Sequence, residues 1–393
     1  MSVLVKATVI FLFILGMFSC RKPFAPAVTT ADPGYLVVEG VINSGADSTI
    51  IKISRTVPLY SKDRRPETGA RVTVESDQNG RYPLTETAKG TYVAVNLNLA
   101  TTGKYRLHIF TAANNEYVSD YVENKITPPI DSISYKVLNA GVQFYVNTHD
   151  ASNSTKYYRW EYGEAWTYYS PFQSLIIYKD GGIAGRSLDS NVNYCYKFAV
   201  PDNNIFVSSS DKLEQDVIYK YPLGYTAGTS WKFQSEYGLT VKQYALTPDA
   251  YKYWQLLKKN TEQLGSIFDA QPATALTNLH AVTNPGEPVI GYISVSTTTL
   301  KRIFFTNRDF DFRVVPPPGY NPLACEQKII LLEPANTFSY RLRQAVASGD
   351  SLLTTLVIDL QTNQLVGYDY ANKICVDCRL EGGTTTKPSY WPF

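Results

Sequence analysis

Five cysteines carry the clearest chemistry in this chain. The first, Cys20, follows Lys6, a predominantly apolar run from Ala7 to Phe18, and the small residue Ser19. That is the layout of an export signal whose cut site lies before a thiol able to take a diacylglycerol. The bland alternative is an ordinary secretory signal ending in a chance cysteine, but run length and cysteine position agree with lipidation at Cys20. Met17 departs mildly from the usual leucine. A membrane helix needs about 20 apolar residues, so this run is too short to span. Residues 1–19 are therefore read as a lipoprotein signal peptide and leave the fold argument.

The other four cysteines are Cys195, Cys325, Cys375 and Cys378, an even number suited to an oxidising compartment. A bridge within Cys375-Val-Asp-Cys378 closes a tight loop, so these two are expected to reach Cys195 and Cys325. Which meets which stays open. A four-cysteine zinc site requires reduced thiolates, and a redox CxxC opens a helix after a strand. The Cys375 motif instead lies near Gly382, Gly383 and Pro388.

No other catalytic kit is present. The sequence has no GxSxG elbow, HExxH or phosphate-cradling glycine loop, and His108, His149 and His280 lie in separate segments. His149-Asp150 is the one neighbouring His–carboxylate pair, and a solvated loop is the preferred reading. Asp309 and Asp311 in RDFDFR would share a strand face, yet two carboxylates are too few for calcium. No catalytic residue, metal or cofactor is expected.

These residues need elements to hold them. After the signal, RKPFAPAVTTAD completes a 20–32 tether rich in Pro, Ala and Thr. The absence of an acidic residue after Cys20 favours the outer membrane. About 370 residues remain after the cut, enough for two cores. A net charge of +2, evenly spread, argues against nucleic acid. Thirty tyrosines against two methionines suit strands, so the fold is expected to be mainly β.

Residues 33–127 show short alternating segments, such as KYRLHIF with Tyr105, Leu107 and Ile109 on one face. Gln78-Asn79-Gly80 and Asn114-Asn115 mark hairpin turns. The expectation is an N-terminal β-sandwich of immunoglobulin or transthyretin type. KITPPID at 125–131 marks a joint, and 128–393 is expected to form a larger β-rich domain with few short helices. In KYYRWEYGEAW, Tyr158, Trp160 and Tyr162 alternate with Tyr157, Arg159 and Glu161, so one face is core; the other is open between an exposed aromatic and charged binding surface and a sandwich interior, which accounts for the large rings more cheaply. A helix near 248–259 is signalled by Thr247 as N-cap and Pro248 at the first position. Ala250, Tyr253, Trp254 and Leu257 should lie on the sheet as core.

The chain resembles the outer-membrane lipoprotein family known as domain of unknown function 4249. The residues that carry the likeness include YLVVEGVI at 35–42, PPIDSISYKV at 128–137, YYRWEYGEAW at 157–166, NTEQLGSIFDAQP at 260–272, EPVIGYISVST at 287–297, KRIFF at 301–305 and CVDCRLEGGTTTKPSYW at 375–391. LTNLH at 276–280 departs from the expected Gly-Asn. The resemblance implies a likeness along nearly the whole mature chain and a non-enzymatic accessory of a TonB-dependent transporter, a large outer-membrane β-barrel, displayed on the cell surface more than in the periplasm. A stand-alone surface adhesin or glycan-binding module is the alternative, and a hydrolase a third. Triplets at Asp47, Asp131 and Asp350 also resemble bacterial O-glycosylation sites.

Overall fold

A computed structural model describes residues 34–58, 61, 63–179, 182–200, 204–262, 276–315, 324–332, 340, 344, 346, 349 and 351–393. Signal, Cys20 and tether lie outside the described residues, as do Asp350 and most of NTEQLGSIFDAQP. The chain is mainly β, as its alternating sequence requires.

Nine strands come first: β1 (Leu36–Asn43), β2 (Thr49–Arg55), β3 (Arg65–Pro66), β4 (Arg71–Ser76), β5 (Arg81–Ala88), β6 (Thr91–Ala94), β7 (Lys104–Phe110), β8 (Glu116–Ser119) and β9 (Val122–Glu123). In β7 the alternation holds: Tyr105, Leu107 and Ile109 are buried, while Arg106 and His108 face the other side. Asn79 and Asn114 take positive φ at the two expected turns, where an asparagine tolerates the left-handed conformation. β5 pairs with β4 through Arg81–Leu84 and with β6 through Thr85–Ala88. It thereby joins two layers over one core that includes Leu36, Ile51, Tyr92, Val74 and Leu107.

The next strands are β10 (Ile130–Leu138), β11 (Gly141–His149), β12 (Tyr157–Tyr169), β13 (Ile176–Lys179), β14 (Gly182–Gly185), β15 (Tyr194–Ala199), β16 (Phe206–Ser209), β17 (Val217–Ala227) and β18 (Glu236–Ala245). Helix α1 (Pro248–Glu262) follows, with Thr247 Oγ1 accepting from Ala250 N at 3.2 Å as the N-cap. The last strands are β19 (Leu279–Ala281), β20 (Ile290–Gly291), β21 (Ser294–Ser296), β22 (Thr298–Thr306), β23 (Gln327–Leu331), β24 (Ser351–Ile358) and β25 (Leu365–Asn372).

A second core lies between the β10-β11-β17 sheet and the β15-β12-β18-β22 sheet. Phe144 and Val146 meet Trp160, Tyr237, Val241 and Phe305 there. The smaller β23-β25-β24 sheet packs against the β13–β14 hairpin through Ile176, Leu353 and Tyr368.

The boundary expected at 127/128 does not confine these sheets. β19 pairs antiparallel with β8, while β20 and β21 pair parallel with β1. One excursion from the later chain therefore covers both ends of the N-terminal sheet and places Leu279, Ile293 and Val295 in its core. Periodicity shows that a segment is a strand but not which sheet receives it. The joint is also strapped: Thr127 N donates to Thr297 Oγ1 at 2.8 Å, and Gln243 Nε2 donates to Pro128 O at 2.9 Å.

Candidate functional site

Both bridges form between the expected partners. Cys195 joins Cys378 and Cys325 joins Cys375, so the closely spaced pair ties two separate parts of the chain to the C-terminal tail. The tail is built for this position. Gly382 holds φ of +80°, and a Cβ on Gly383 would lie 2.5 Å from Tyr168 Oη and 2.8 Å from Cys195 Cβ. Thr384 bridges to Tyr196, and buried Trp391 donates from Nε1 to Glu236 Oε2 at 2.8 Å while meeting Phe304 edge-on. The motif at 375–391 thus makes structural contacts.

Each histidine has its own carboxylate partners, and the three do not converge. His108 Nδ1 lies 2.9 Å from Glu75 Oε1, and its Nε2 lies 2.8 Å from Glu116 Oε1. His280 Nε2 lies 2.9 Å from Asp120 Oδ1. His149 meets Asp131 at 2.8 Å, and that contact raises the imidazole above its ordinary value. Asp150, its sequence neighbour, points elsewhere. It accepts from Ser152, Ser154 and Thr155, and these bonds outweigh burial to hold it well below the carboxylate range. Asp309 and Asp311 are not on a strand. β22 ends at Thr306, and Asp309 Oδ2 closes the following turn by accepting from Thr306 N at 2.6 Å. Among the described residues no three His, Cys, Asp or Glu side chains are grouped to hold a metal, and no helix is long and apolar enough to cross a membrane.

β12 has one core face and one that borders a cleft. Tyr158 and Trp160 are buried, and Trp160 Nε1 donates to Gln243 Oε1 at 2.7 Å. Arg159 and Glu161, on the other face, line a cleft of about 430 Å³ with Lys242, Tyr244, Trp254 and the outer face of β1 and β2. Trp254 is therefore not sheet-covered core as its helical spacing suggested. It is half-buried, with the Arg159 guanidinium 3.9 Å from its ring centre. Arg159 also lies 5.0 Å from the Tyr244 ring, and Lys242 lies 5.7 Å from it. Burial pushes the Glu161 carboxyl up, but Arg159 and the Tyr244 hydroxyl, donating at 2.6 Å, outweigh it and hold the group below its usual value. Lys242 Nζ also binds Asp47 at 2.7 Å. The rings already carry cations, so they form no bare stacking platform for a sugar.

A second feature is apolar. In the turn between β24 and β25, Asp359 Oδ1 accepts from Gln361 N and Thr362 N at 2.8 Å, and Asp359 N donates to Gln364 O at 2.9 Å. This bonded turn holds Leu360 98% exposed. Ile358 and its cross-strand partner Leu365 are also exposed. Sequence reasoning missed this surface, although a leucine inside the polar turn DLQTNQ was a usable signal. It also missed Lys242 and Tyr244, which only tertiary folding brings to the cleft, and the ion pair between Lys242 and Asp47.

These features define a mainly β protein with a disulfide-stapled tail and a charged inter-sheet cleft. The chain belongs to the family described as Domain of unknown function (DUF4249), which matches residues 21–302. The expected likeness along nearly the whole mature chain is thus shorter, and the 375–391 motif lies beyond the matched part. No curated protein matches the sequence. Among solved structures, the chain is similar to the Yersinia pseudotuberculosis adhesin InvE at 14% identity, over 55% of this chain and 58% of that one, with a TM-score of 0.15. It is also similar to the chitinase ChiA74 from Bacillus thuringiensis at 13% identity, over 46% and 30% of the two chains, with a TM-score of 0.15. The BSP domain of a biofilm associated protein shares 7% identity over 70% of this chain and 59% of that one, with a TM-score of 0.14. The chain spans less than two thirds of each, and likenesses of this size carry no functional argument.

Proposed function

We propose that the protein is a lipid-anchored outer-membrane accessory of a TonB-dependent transporter, acting without catalysis. The observation that carries this reading is the apolar surface around Leu360. A bonded turn presents a leucine to solvent beside Ile358 and Leu365, and contiguous exposed apolar side chains mark protein–protein contacts. The signal ending at Cys20 supports the anchor, and the cleft beside Arg159 and Trp254 gives room for a captured ligand.

The test is a mild-detergent pull-down of the tagged native protein from its own outer membrane, with mass spectrometry of the co-purifying proteins. One TonB-dependent barrel in near-equal amount, lost from Cys20→Ala and from Leu360→Asp forms, is the expected result. A native protein that emerges alone, or a barrel retained by Leu360→Asp, overturns the assignment of that surface.

A further inference from the structure

Val142, Phe144 and Val146 face the second core, so the residues between them on β11 form the outer face of the β10-β11-β17 sheet. Strand pairing sets Lys136, Gln143 and Tyr225 side by side across that face, Ser134 beside Tyr145, and Ser132 beside Asn147. Tyr225 is 47% exposed, and its tip reaches over Gly141, where a Cβ would lie 2.7 Å from the Tyr225 hydroxyl oxygen. The ring therefore leans along the sheet instead of standing away from it. Tyr145 is its diagonal neighbour, at about 8 Å. Unlike the rings of the cleft, neither has a second ring or a cation against it among the described residues.

Neutral hydrogen-bonding groups flank these rings. Asn147 Nδ2 donates to Ser132 Oγ at 2.9 Å and to Ser134 Oγ at 3.2 Å, which leaves each serine its own proton to donate. Gln143 Nε2 donates to Phe144 O at 3.0 Å and Gly224 O at 3.1 Å, which leaves Oε1 as an acceptor. The charge is positive. Asp131 is the one carboxylate in β10, β11 and β17, and His149 takes it up at 2.8 Å. Lys136 and Lys220 have no carboxylate partner among the described residues. The β11–β17 register slips beside Lys220, which holds φ of +49° and donates from N to Asn147 Oδ1 at 2.7 Å. Such a bulge re-aims a side chain, and Lys220 Nζ lies 5.2 Å from the Tyr219 ring centre.

Uncovered tyrosine rings suit the C–H faces of sugar rings, the serines and Gln143 suit sugar hydroxyls, and unpaired lysines call for an anion. Nucleic acid also offers rings and anions, but it carries a phosphate on every residue, and two lysines are too few to follow it. We infer that this face binds an acidic oligosaccharide, its rings stacked on Tyr225 and Tyr145 and its carboxylates on Lys136 and Lys220. The inference is independent of both the lipid anchor and the Leu360 surface.

The test is calorimetric titration of the purified full chain, at low salt, with hexamers of galacturonate and of mannuronate. Cellohexaose supplies sugar rings without charge, hexaglutamate supplies charge without rings, and a six-nucleotide oligothymidylate supplies both. An acidic hexamer should bind severalfold more tightly than any of these three, and should weaken severalfold in Lys136→Gln and in Tyr225→Ala. Urea unfolding checks each variant, and Lys136→Gln, which changes an exposed side chain, decides the matter if Tyr225→Ala does not fold. No binding of either acidic hexamer overturns the inference, as does binding that both variants keep unchanged. Equal binding of cellohexaose overturns it too. So does equal or tighter binding of hexaglutamate or oligothymidylate, which would make the face a site for acidic peptide or nucleic acid.

Discussion

Replacing Cys195 and Cys378 together by alanine should cost more stability than the same change at Cys325 and Cys375. The Cys195–Cys378 bridge spans 183 residues, of which 50 are already short-circuited by Cys325–Cys375. Subtracting 50 from 183 leaves a loop of 133 residues to be released, worth about 17 cal/mol/K of chain entropy, or about 5 kcal/mol at 25 °C. The same relation gives about 4 kcal/mol for the 50-residue Cys325–Cys375 loop. Cys195 and Cys378 are also fully buried beneath Gly383 and Tyr168, so their loss leaves a packing defect as well. Equilibrium urea unfolding without reductant would give both numbers. A Cys195/Cys378 variant losing less than about 2 kcal/mol, or clearly less than the Cys325/Cys375 variant, would refute the view that the outer bridge staples the tail.

Three further outcomes are expected. Gly291→Ala should destabilise the fold by about 2 kcal/mol or more in the same assay, because φ is +129° there and the added Cβ would sit 2.0 Å from Val38 O. Burial raises the Glu75 carboxyl, but His108 and Arg106 outweigh it and hold the folded group below its ordinary value. The unfolded chain therefore binds the proton more readily, so this stabilisation is present above about pH 4.5 and is lost as acid carries the pH down through the folded value. A Glu75→Gln variant should be less stable at neutral pH and show a flatter acid limb, read from urea midpoints across pH. By NMR, His149 should titrate above the ordinary imidazole range, and Asp131→Asn should bring it down; an unmoved midpoint would count against the 2.8 Å pair.

The parts of the fold legible in sequence are those set by local chemistry. Thr247 and Pro248 fix the start of α1 because capping and a preset φ act within one turn. Tyr105, Leu107 and Ile109 declare the inward face of β7 because strand side chains alternate. The pairing of Cys195 with Cys378 was only half legible, since spacing excludes a bridge but cannot choose between distant partners. Trp254 misled because its helical spacing reads as core while the space above it is filled by a guanidinium from β12. The ion pair of Asp47 with Lys242 is 195 residues apart and has no local signature at all.

The excursion that closes the N-terminal sheet has a consequence for how the protein comes into being. A chain leaves the ribosome N-terminus first, and β1 and β8 emerge with their outer edges bare. Their partners, β20, β21 and β19, come only after the whole of β10–β18 and α1 has followed. Until then the early strands offer unsatisfied amides and carbonyls to any passing strand, the situation from which edge-to-edge aggregation starts. The slow step in maturation should accordingly be the return of residues 279–296, a long-range pairing with a high loop-closure cost. A chaperone that covers bare strand edges therefore has a defined task here, to shield two sheet edges during the interval that chain order imposes.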